Sequence, residues 1–352
     1  MSRNVERAKL SSEYKSDDRF SSIYIDLLSE RLGGRAIACS DEWFAGAENM
    51  LKPGRGVFKE GLFVSTGKWM DGWESRRSFG RNNRSRQGED FDWCILRMGS
   101  QGVLKGLDID TNHFHGNAPE YVAVEASMVS GHDTKGADWQ EVLKKTAVRP
   151  HSQNLFSIES SRTWNHLRLK IFPDGGVARF RAYGRALHAK EDYVAGELVD
   201  LASALNGGIA VDASDRFFSS PTNLVMPGRG INMGDGWETK RRRNEQNDWA
   251  IIRLGMIGDI RKVIIDTAHF RGNFPESVSL QGAIVEKDSE PDEKTKWTDI
   301  LDRTQLTADY EHIFTSSLKS VPGQIFSHVR LQIYPDGGVS RLRVFGLPES
   351  QQ

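Results

Sequence analysis

The feature that most constrains the fold of this chain is an internal repeat. Five sequence blocks occur in the same order in both halves of the 352 residues. The paired blocks begin at Asp26 and Asp200, Pro53 and Pro227, Asp71 and Asp235, Asp92 and Asp248, and His166 and His328. Self-similarity of this length indicates a duplicated structural unit. We therefore predict two homologous domains, each close to the commonest domain size.

The ends of the paired blocks predict the domain boundaries. We expect an N-terminal extension at residues 1–25, a first repeat at 26–184, a linker at 185–199, a second repeat at 200–346 and a C-terminal tail at 347–352. The first repeat carries an additional segment that includes residues 58–64. The two repeats are therefore not expected to be fully equivalent.

Alternation of apolar and polar residues predicts that both repeats are all-β. Val329, Leu331 and Ile333 show the period of two that is typical of a half-buried strand. The Pro-Asp-Gly-Gly segments at Pro173 and Pro335 lie between two such runs and are predicted to form hairpin turns. Helical spacing is limited to short pieces, at Ile23, Asp26 and Leu27, at residues 139–143 and at residues 297–301. The expected architecture is an antiparallel β-sandwich with few short helices.

Composition excludes several classes of protein. The 47 Lys and Arg residues against 48 Asp and Glu residues give a net charge of −1, so no nucleic-acid partner is expected. The sequence has neither a long apolar run nor a secretory signal, which predicts a cytoplasmic protein without a membrane partner. The two cysteines, Cys39 and Cys94, are not in a CxxC pair, and we favour two reduced thiols over a disulfide between them.

The first polar grouping found in both repeats is an Asp-Gly-Trp-Glu sequence followed by basic residues. Carboxylates beside guanidinium groups on a glycine-containing loop could bind a small anion. The alternative is a solvated basic loop that makes a turn and buries one tryptophan. The candidate substrate-binding residues are Asp71, Trp73, Glu74, Arg76 and Arg77 in the first repeat and Asp235, Trp237, Glu238, Arg241 and Arg242 in the second.

The second grouping follows an apolar strand, at a junction where a rigid scaffold often presents functional groups. Histidine can transfer protons near neutral pH, and Asn and Glu can orient amide substrates. The alternative is structural, because Asp-Thr and Gly-Asn are ordinary turn formers. The candidate catalytic residues are Asp110, His113 and Glu120 in the first repeat and Asp266, His269 and Glu276 in the second, with Asn117, Arg271 and Asn273 as candidate substrate-binding residues.

A metal site is a further possibility in the first repeat. The spacing of His113 and His115 after Asp110 could ligate zinc or manganese. Arg271 takes the place of the second histidine in the other repeat, which favours a loop histidine without metal. We therefore predict no cofactor and keep a divalent metal such as manganese as the alternative.

The third grouping consists of arginines that alternate with apolar residues after each Pro-Asp-Gly-Gly segment. Arginines in such a pattern more often line one face of a sheet and pair with nearby acids than bind a ligand. These residues are Arg179 and Arg181 in the first repeat and Arg341 and Arg343 in the second. Signatures of nucleotide-binding, serine-hydrolase and zincin chemistry do not occur in the sequence. The residues alone therefore predict a site for a small anion without naming it.

The segments DGWETKRRR, IDTAHFRGNFPES and HVRLQIYPDGGVSRLRVFG resemble the allantoicase family, and the resemblance extends over both repeats. It implies two jelly-roll β-sandwich repeats related to galactose-binding domains, a homo-oligomer, and hydrolysis of allantoate to ureidoglycolate and urea in purine catabolism. Arginines of the DGWE loops would bind the substrate carboxylate, and a histidine or carboxylic acid would protonate the departing urea. The alternative is a β-sandwich protein that binds carbohydrates or other ligands without catalysis.

Overall fold

The computed structural model describes residues 19–21, 23–78, 89–131, 133–187, 194, 196–286, 289–319 and 322–349. Most of the predicted N-terminal extension, residues 188–193 and 195 of the predicted linker, and the tail from residue 350 lie outside the described residues. Throughout the described ranges the chain forms strands, 3₁₀ turns and loops, with no α-helix. The expectation of an all-β protein with two homologous repeats is confirmed.

The first repeat contains twelve strands and two short 3₁₀ turns in its described part. The turns are Glu30–Leu32 and Ala47–Leu51. The strands are β1 (Ile25–Asp26), β2 (Arg35–Cys39), β3 (Phe63–Val64), β4 (Gly67–Lys68), β5 (Trp73–Glu74), β6 (Asp92–Asp110), β7 (Tyr121–Ser127), β8 (Gln140–Ala147), β9 (Leu155–Ser157), β10 (Thr163–Phe172), β11 (Gly176–Val177) and β12 (Arg179–Ala186).

The second repeat follows the same order without the small β3–β4 hairpin, which belongs to the additional segment of the first repeat. Its 3₁₀ turns are Ala204–Asn206, Pro221–Val225 and Met233–Asp235. Its strands are β13 (Val199–Asp200), β14 (Ile209–Ala213), β15 (Trp237–Glu238), β16 (Asp248–Asp266), β17 (Ser277–Ala283), β18 (Thr298–Gln305), β19 (Glu311–Phe314), β20 (Ile325–Tyr334), β21 (Gly338–Val339) and β22 (Arg341–Pro348).

Each repeat is organised around one strand of 19 residues, β6 or β16. The first part of β6 pairs with β2 and β10, and its last part pairs with β9 and β12. Strands β7 and β8 extend the sheet beyond β10, and β1 extends it beyond β12. The strands around β16 pair in the same way. One long strand therefore contributes to both layers of each sandwich.

The predicted alternation places apolar side chains between these layers. Leu167, Leu169 and Ile171 of β10 are fully buried in the core of the first repeat, as are their second-repeat counterparts Val329, Leu331 and Ile333 of β20. Burial of side chains of this kind contributes roughly 1.5–3 kcal/mol each. Ile25 and Leu32 of the first repeat belong to the core cluster of the second repeat, so the two repeats share packing.

The predicted helices are wrong. Residues 140–147 and 298–305 form the edge strands β8 and β18, and Ile25–Asp26 forms the two-residue strand β1. The pairing of β17 with β18 shifts register twice, and the consecutive residues Ile300 and Leu301 are both buried. A bulge places neighbouring residues on the same face, so apolar residues recur three or four apart in an extended strand.

The predicted hairpins at the Pro-Asp-Gly-Gly segments are also wrong. Strands β10 and β12 both pair with β6, but along different parts of it. The segment at Pro173 therefore carries the chain from one layer of the sandwich to the other, and the segment at Pro335 does the same between β20 and β22. Both glycines that follow the aspartates, Gly175 and Gly337, have positive φ, which explains why glycine occurs there.

Two further expectations concern cysteines and membranes. Cys39 and Cys94 face each other on β2 and β6 and are both free thiols, as favoured from the sequence. Burial of the Cys39 thiol raises its pKa to about 12. Within the described ranges, the protein has no helix of the length and apolar character that crossing a bilayer would require.

Candidate functional site

The last residue of the long strand anchors the loop that crosses it in each repeat. Asp110 of β6 is buried and accepts hydrogen bonds from Arg55 Nε at 2.7 Å and Arg55 Nη2 at 2.8 Å. Asp266 of β16 accepts from Arg229 Nε at 2.9 Å in the same manner. Paired hydrogen bonds between guanidinium and carboxylate are geometrically specific. The Pro-Gly-Arg-Gly loop is thereby held over the predicted catalytic block.

The predicted histidines follow these aspartates in an unusual backbone conformation. His113 has a φ of 68° and His269 a φ of 71°, in the left-handed region. The N–H of His113 donates to Nδ1 of His151 at 2.9 Å, and the N–H of His269 donates to Oδ1 of Asp309 at 2.8 Å. Such conformations are costly and persist where surrounding contacts enforce them. Both histidines are therefore held at fixed positions.

One ring nitrogen of His269 is hydrogen-bonded to the protein backbone. Nε2 lies 2.7 Å from the carbonyl oxygen of Gly230. A carbonyl oxygen can only accept, so Nε2 carries the hydrogen of this bond. Proton exchange with a ligand is consequently left to Nδ1. The ring is oriented by the loop that Arg229 anchors.

The two repeats differ around these histidines. In the first repeat the rings of His115 and His151 stack with centroids 4.1 Å apart, and His113 lies 5.5 Å from His151. Burial, followed by the nearby His151, lowers the pKa of His113, and burial followed by His115 lowers the pKa of His151. In the second repeat an ion pair between Arg271 Nε and Asp309 Oδ2 at 3.0 Å occupies this place.

The structure connects the DGWE loops to the third grouping. Oδ2 of Asp71 accepts from Arg179 Nη2 at 2.6 Å and from the Val57 N–H at 2.9 Å. Burial opposes ionisation of Asp71, but the hydrogen bonds from Arg179 and Val57 outweigh it and hold its pKa below the usual value. Asp235 pairs in the same way with Arg341 Nη2 at 2.7 Å. These aspartates and arginines fix the loops to the sheet.

The DGWE loops also contact the second grouping. Asn117 Nδ2 donates to Glu74 Oε1 at 2.7 Å, and Asn273 Nδ2 donates to Glu238 Oε1 at 2.6 Å. Burial raises the pKa of Glu74, against the hydrogen bond from Asn117 and the charge of Arg77. The structure therefore brings the two predicted groupings together in each repeat.

Several predicted substrate-binding residues have other roles. Trp73 and Trp237 are fully buried, and their Nε1 atoms donate to backbone carbonyls, so we correct their assignment from substrate contact to core residues. Arg76 pairs with Asp41 at 2.6 Å, and Arg242 pairs with Asp248 at 2.7 Å. Arg77 and Arg241 are exposed on the same loops.

The two predicted glutamates lie at the beginning of neighbouring strands. Glu120 and Glu276 are exposed and immediately precede β7 and β17. Glu276 accepts from Arg303 Nη2 at 3.1 Å and from Gln305 at 3.4 Å, both on β18. A hydrogen bond with Ser277, followed by that from Arg303, lowers the pKa of Glu276. This carboxylate is directed to the outer strand of the sheet.

A cavity of about 350 Å³ opens beside Asp266 in the second repeat. Its walls include Arg229, Glu311, Arg341 and Arg343, so charges of both signs face it. The sequence did not point to Glu311 or to the loop acceptors His151 and Asp309. The two acceptors are different residue types in the two repeats, and their function depends on backbone conformation, so the sequence carried no signal for them.

The structure also bears on where a metal could be held. Across the residues that it describes, no group of three or more His, Cys, Asp and Glu side chains is arranged to hold a metal ion. The neighbouring rings of His113, His115 and His151 are stacked or tilted against each other rather than directed at one point.

Comparison with known proteins agrees with this duplicated site. A family model described as the allantoicase repeat matches residues 25–187 and 199–349. The chain belongs to the allantoicase family. A probable allantoicase of Pseudomonas paraeruginosa is 46% identical over 330 residues, which is 93% of this chain and 96% of the relative. Another, from Pseudomonas syringae pv. syringae, is 43% identical over 327 residues, covering 92% and 96%.

A solved allantoicase has the same fold over nearly the whole chain. The crystal structure of allantoicase from Saccharomyces cerevisiae superposes with a TM-score of 0.77 at 36% sequence identity, and covers 97% of this chain and 98% of that one. This similarity includes both repeats, so the allantoicase architecture applies to the full length.

Proposed function

We propose that this chain is a hydrolase that converts allantoate to ureidoglycolate and urea in purine catabolism. Its membership of the allantoicase family and the similarity along its full length support this activity. The observation that supports this chemistry is the fixed position of one histidine in each repeat, His113 or His269, whose backbone adopts a positive φ. In the second repeat the hydrogen bond from Nε2 to the carbonyl oxygen of Gly230 also fixes the ring. Such a ring can present one nitrogen to a bound substrate.

The proposed reaction begins with proton transfer to the departing urea. Allantoate carries one carboxylate and two ureido groups on a single carbon atom. The Nδ1–H of protonated His269, or of His113 in the first repeat, donates its proton to the nitrogen of the leaving ureido group. The carbon–nitrogen bond then breaks, and the lone pair of the remaining ureido nitrogen forms an imine. Water adds to that imine, which still carries the proton of the ureido N–H, gives the hydroxyl group of ureidoglycolate and passes one of its own protons to the imidazole.

The surrounding polar groups are proposed to bind the substrate. Arg77 and Arg241 are exposed on the loops that carry Glu74 and Glu238, and can bind the carboxylate. These glutamates accept from Asn117 and Asn273 through one carboxylate oxygen each and keep the other for ureido N–H donors. Asp110 and Asp266 support this arrangement by holding Arg55 and Arg229. Orienting a substrate in this way lowers the entropic part of the barrier.

The origin of the new oxygen atom tests the reaction order. Turnover in water enriched with heavy oxygen should label the hydroxyl group of ureidoglycolate and leave urea unlabelled. Label in urea would show attack on the ureido carbonyl and would eliminate the imine route. Absence of urea from incubations of the wild-type protein with allantoate would remove the proposed activity and favour a ligand-binding protein without catalysis.

Substitution of His269 tests the proton transfer. In a His113→Ala background, where the first repeat no longer contributes turnover, His269→Ala should lower kcat by about 10²-fold or more, because a general acid or base typically contributes that much. His269→Gln is the matched control, since glutamine can still donate a hydrogen bond to Gly230 but cannot transfer a proton at neutral pH. Turnover restored by glutamine would assign His269 a structural role.

We also propose that the enzyme assembles as a homo-oligomer. Exposed apolar side chains such as Phe63, Phe217 and Ile231, which are 68%, 60% and 79% exposed, could be covered by a further copy of the chain. Light scattering coupled to gel filtration would give the mass in solution. The cytoplasmic location expected from the sequence stays a prediction, which cell fractionation would check.

A further inference from the structure

One side chain of the first repeat reaches into the substrate loop of the second. Arg31 lies in the 3₁₀ turn Glu30–Leu32 of the first repeat. Its Nη2 forms an ion pair with Oδ1 of Asp235, the first residue of the second DGWE sequence. Its Nη1 donates to Oδ1 of Asn223 at 2.8 Å. One guanidinium group therefore connects two segments of the second repeat.

Asn223 extends this link to the DGWE turn itself. Its Nδ2 donates to the carbonyl oxygen of Gly236 at 2.9 Å. Asp235 also accepts from Arg341 Nη2 at 2.7 Å and from the N–H of Ile231 at 3.1 Å. The DGWE turn of the second repeat is thus fixed from inside by Arg341 and from the other repeat by Arg31.

The position of Arg31 is itself well determined. The preceding Ser29 caps the turn by accepting from the Arg31 N–H, and the following Leu32 packs in the core cluster of the second repeat. The Arg31 side chain is 21% exposed, and burial lowers its pKa despite the charge of Asp235. Charge-assisted hydrogen bonds with little solvent around them are stronger than hydrogen bonds between neutral groups.

Among the residues that the structure describes, the first repeat has no contact that corresponds to that of Arg31. The residue equivalent to Arg31 in the second repeat is Leu205, as the matching segments at Asp26 and Asp200 show. In the first repeat Asn49 Nδ2 donates to the carbonyl oxygen of Gly72 at 3.1 Å, and Oδ2 of Asp71 accepts from Arg179 and Val57. The repeats therefore share the internal contacts of the loop, and Arg31 is an addition to the second one.

We propose that Arg31 is a positioning residue for the second substrate site, so that the first repeat sets the substrate affinity of the second. This inference rests on the proposed allantoate hydrolysis. Arg31 holds Asp235 and Gly236, which lead directly to Glu238 and Arg241. It acts on binding through the loop rather than by contact with the reacting atoms.

The test compares KM and kcat of full-length variants from the rate of urea release. Arg31→Leu introduces the residue that the second repeat has at the equivalent position. We expect the KM of the second repeat for allantoate, isolated in a His113→Ala background, to rise about tenfold with kcat little changed, because coupling between sites is typically worth roughly 5- to 150-fold. Arg31→Lys keeps a charge for Asp235 but cannot also bridge to Asn223, and should give an intermediate KM. Arg35→Leu, which removes an exposed arginine of the same repeat, should behave as wild type.

A second comparison assigns the effect to one repeat. In a His269→Ala background, where only the first repeat can turn over, Arg31→Leu should leave KM unchanged. If that background has no measurable turnover, all activity belongs to the second repeat, and the KM values of the single variants then show whether Arg31 affects substrate affinity. If Arg31→Leu does not fold, the KM of Arg31→Lys is used to test the inference. Unaltered KM in the variants, or an equal rise in the His269→Ala background, would overturn the inference. Wild-type protein without urea release would instead refute the proposed function.

Discussion

Asp108 is a buried carboxyl group whose ionisation should control the stability of the first repeat. It lies on β6 opposite Arg181 of β12 and is only 3% exposed. Oδ2 accepts from Gln153 Nε2 at 2.8 Å, whereas no residue that the structure describes donates a hydrogen bond to the buried Oδ1. Burial, against the hydrogen bond from Gln153, raises the pKa of Asp108 to about 7. The second repeat has Ile264 at this position.

The size of the effect follows from the difference in pKa between the folded and unfolded chain. The folded protein keeps the Asp108 proton up to about pH 7, whereas the unfolded chain releases it near the ordinary aspartate pKa of 3.8. The resulting stabilisation is complete below the lower pKa and is lost as the pH rises through the upper one. At about 1.4 kcal/mol per pKa unit the whole effect is roughly 4 kcal/mol, of which roughly 3 kcal/mol is lost between about pH 5 and about pH 9.

Asp108→Asn removes this ionisation and keeps an oxygen atom for Gln153. The free energy of unfolding, measured with guanidinium chloride across that pH range, should fall less steeply with pH in the variant than in the wild type. Between about pH 5 and about pH 9, the free energy of unfolding of the variant should rise relative to that of the wild type by roughly 3 kcal/mol. Asp133→Asn, at an exposed aspartate, controls for the loss of a negative charge and should give a curve parallel to the wild type. Parallel curves for Asp108→Asn would refute the reasoning.

Two further predictions concern packing and metal. A Cβ atom at Gly338 would lie 1.9 Å from the ring of Phe270, so Gly338→Ala should lower the free energy of unfolding by roughly 1–3 kcal/mol or more, and an unchanged denaturation midpoint would contradict this. We also predict that urea release from allantoate persists after treatment with a chelator, and a loss of activity that added manganese restores would establish a metal requirement.

The duplication and the β-rich class could be predicted because they depend on patterns that the sequence carries directly. Paired blocks reveal a repeat without any knowledge of its structure. Alternating burial in β10 and β20 follows from the period of two in a half-buried strand. The edge strands β8 and β18 were predicted as helices because their bulges bring adjacent residues to one face, and bulges are decided by pairing with β7 and β17.

The candidate site could be predicted only in part. Residue types indicated that the DGWE loops and the histidine block contribute to a binding or catalytic site. In the structure the Glu74–Asn117 and Glu238–Asn273 contacts bring these two groupings together. The sequence could not show which charged groups are already paired. Arg76 is held by Asp41, which lies far before the DGWE motif in the sequence. Arg242 is held by Asp248, which follows the motif at the beginning of β16. Such pairings depend on how loops fold back over the sheet.

The long central strand has a consequence for how each repeat unfolds. Because β6 and β16 each run through both layers and supply hydrogen bonds to both, the ladders of the two layers share one continuous strand. Opening of one layer therefore disturbs the other, and backbone amides on both sides should exchange with solvent as one cooperative unit.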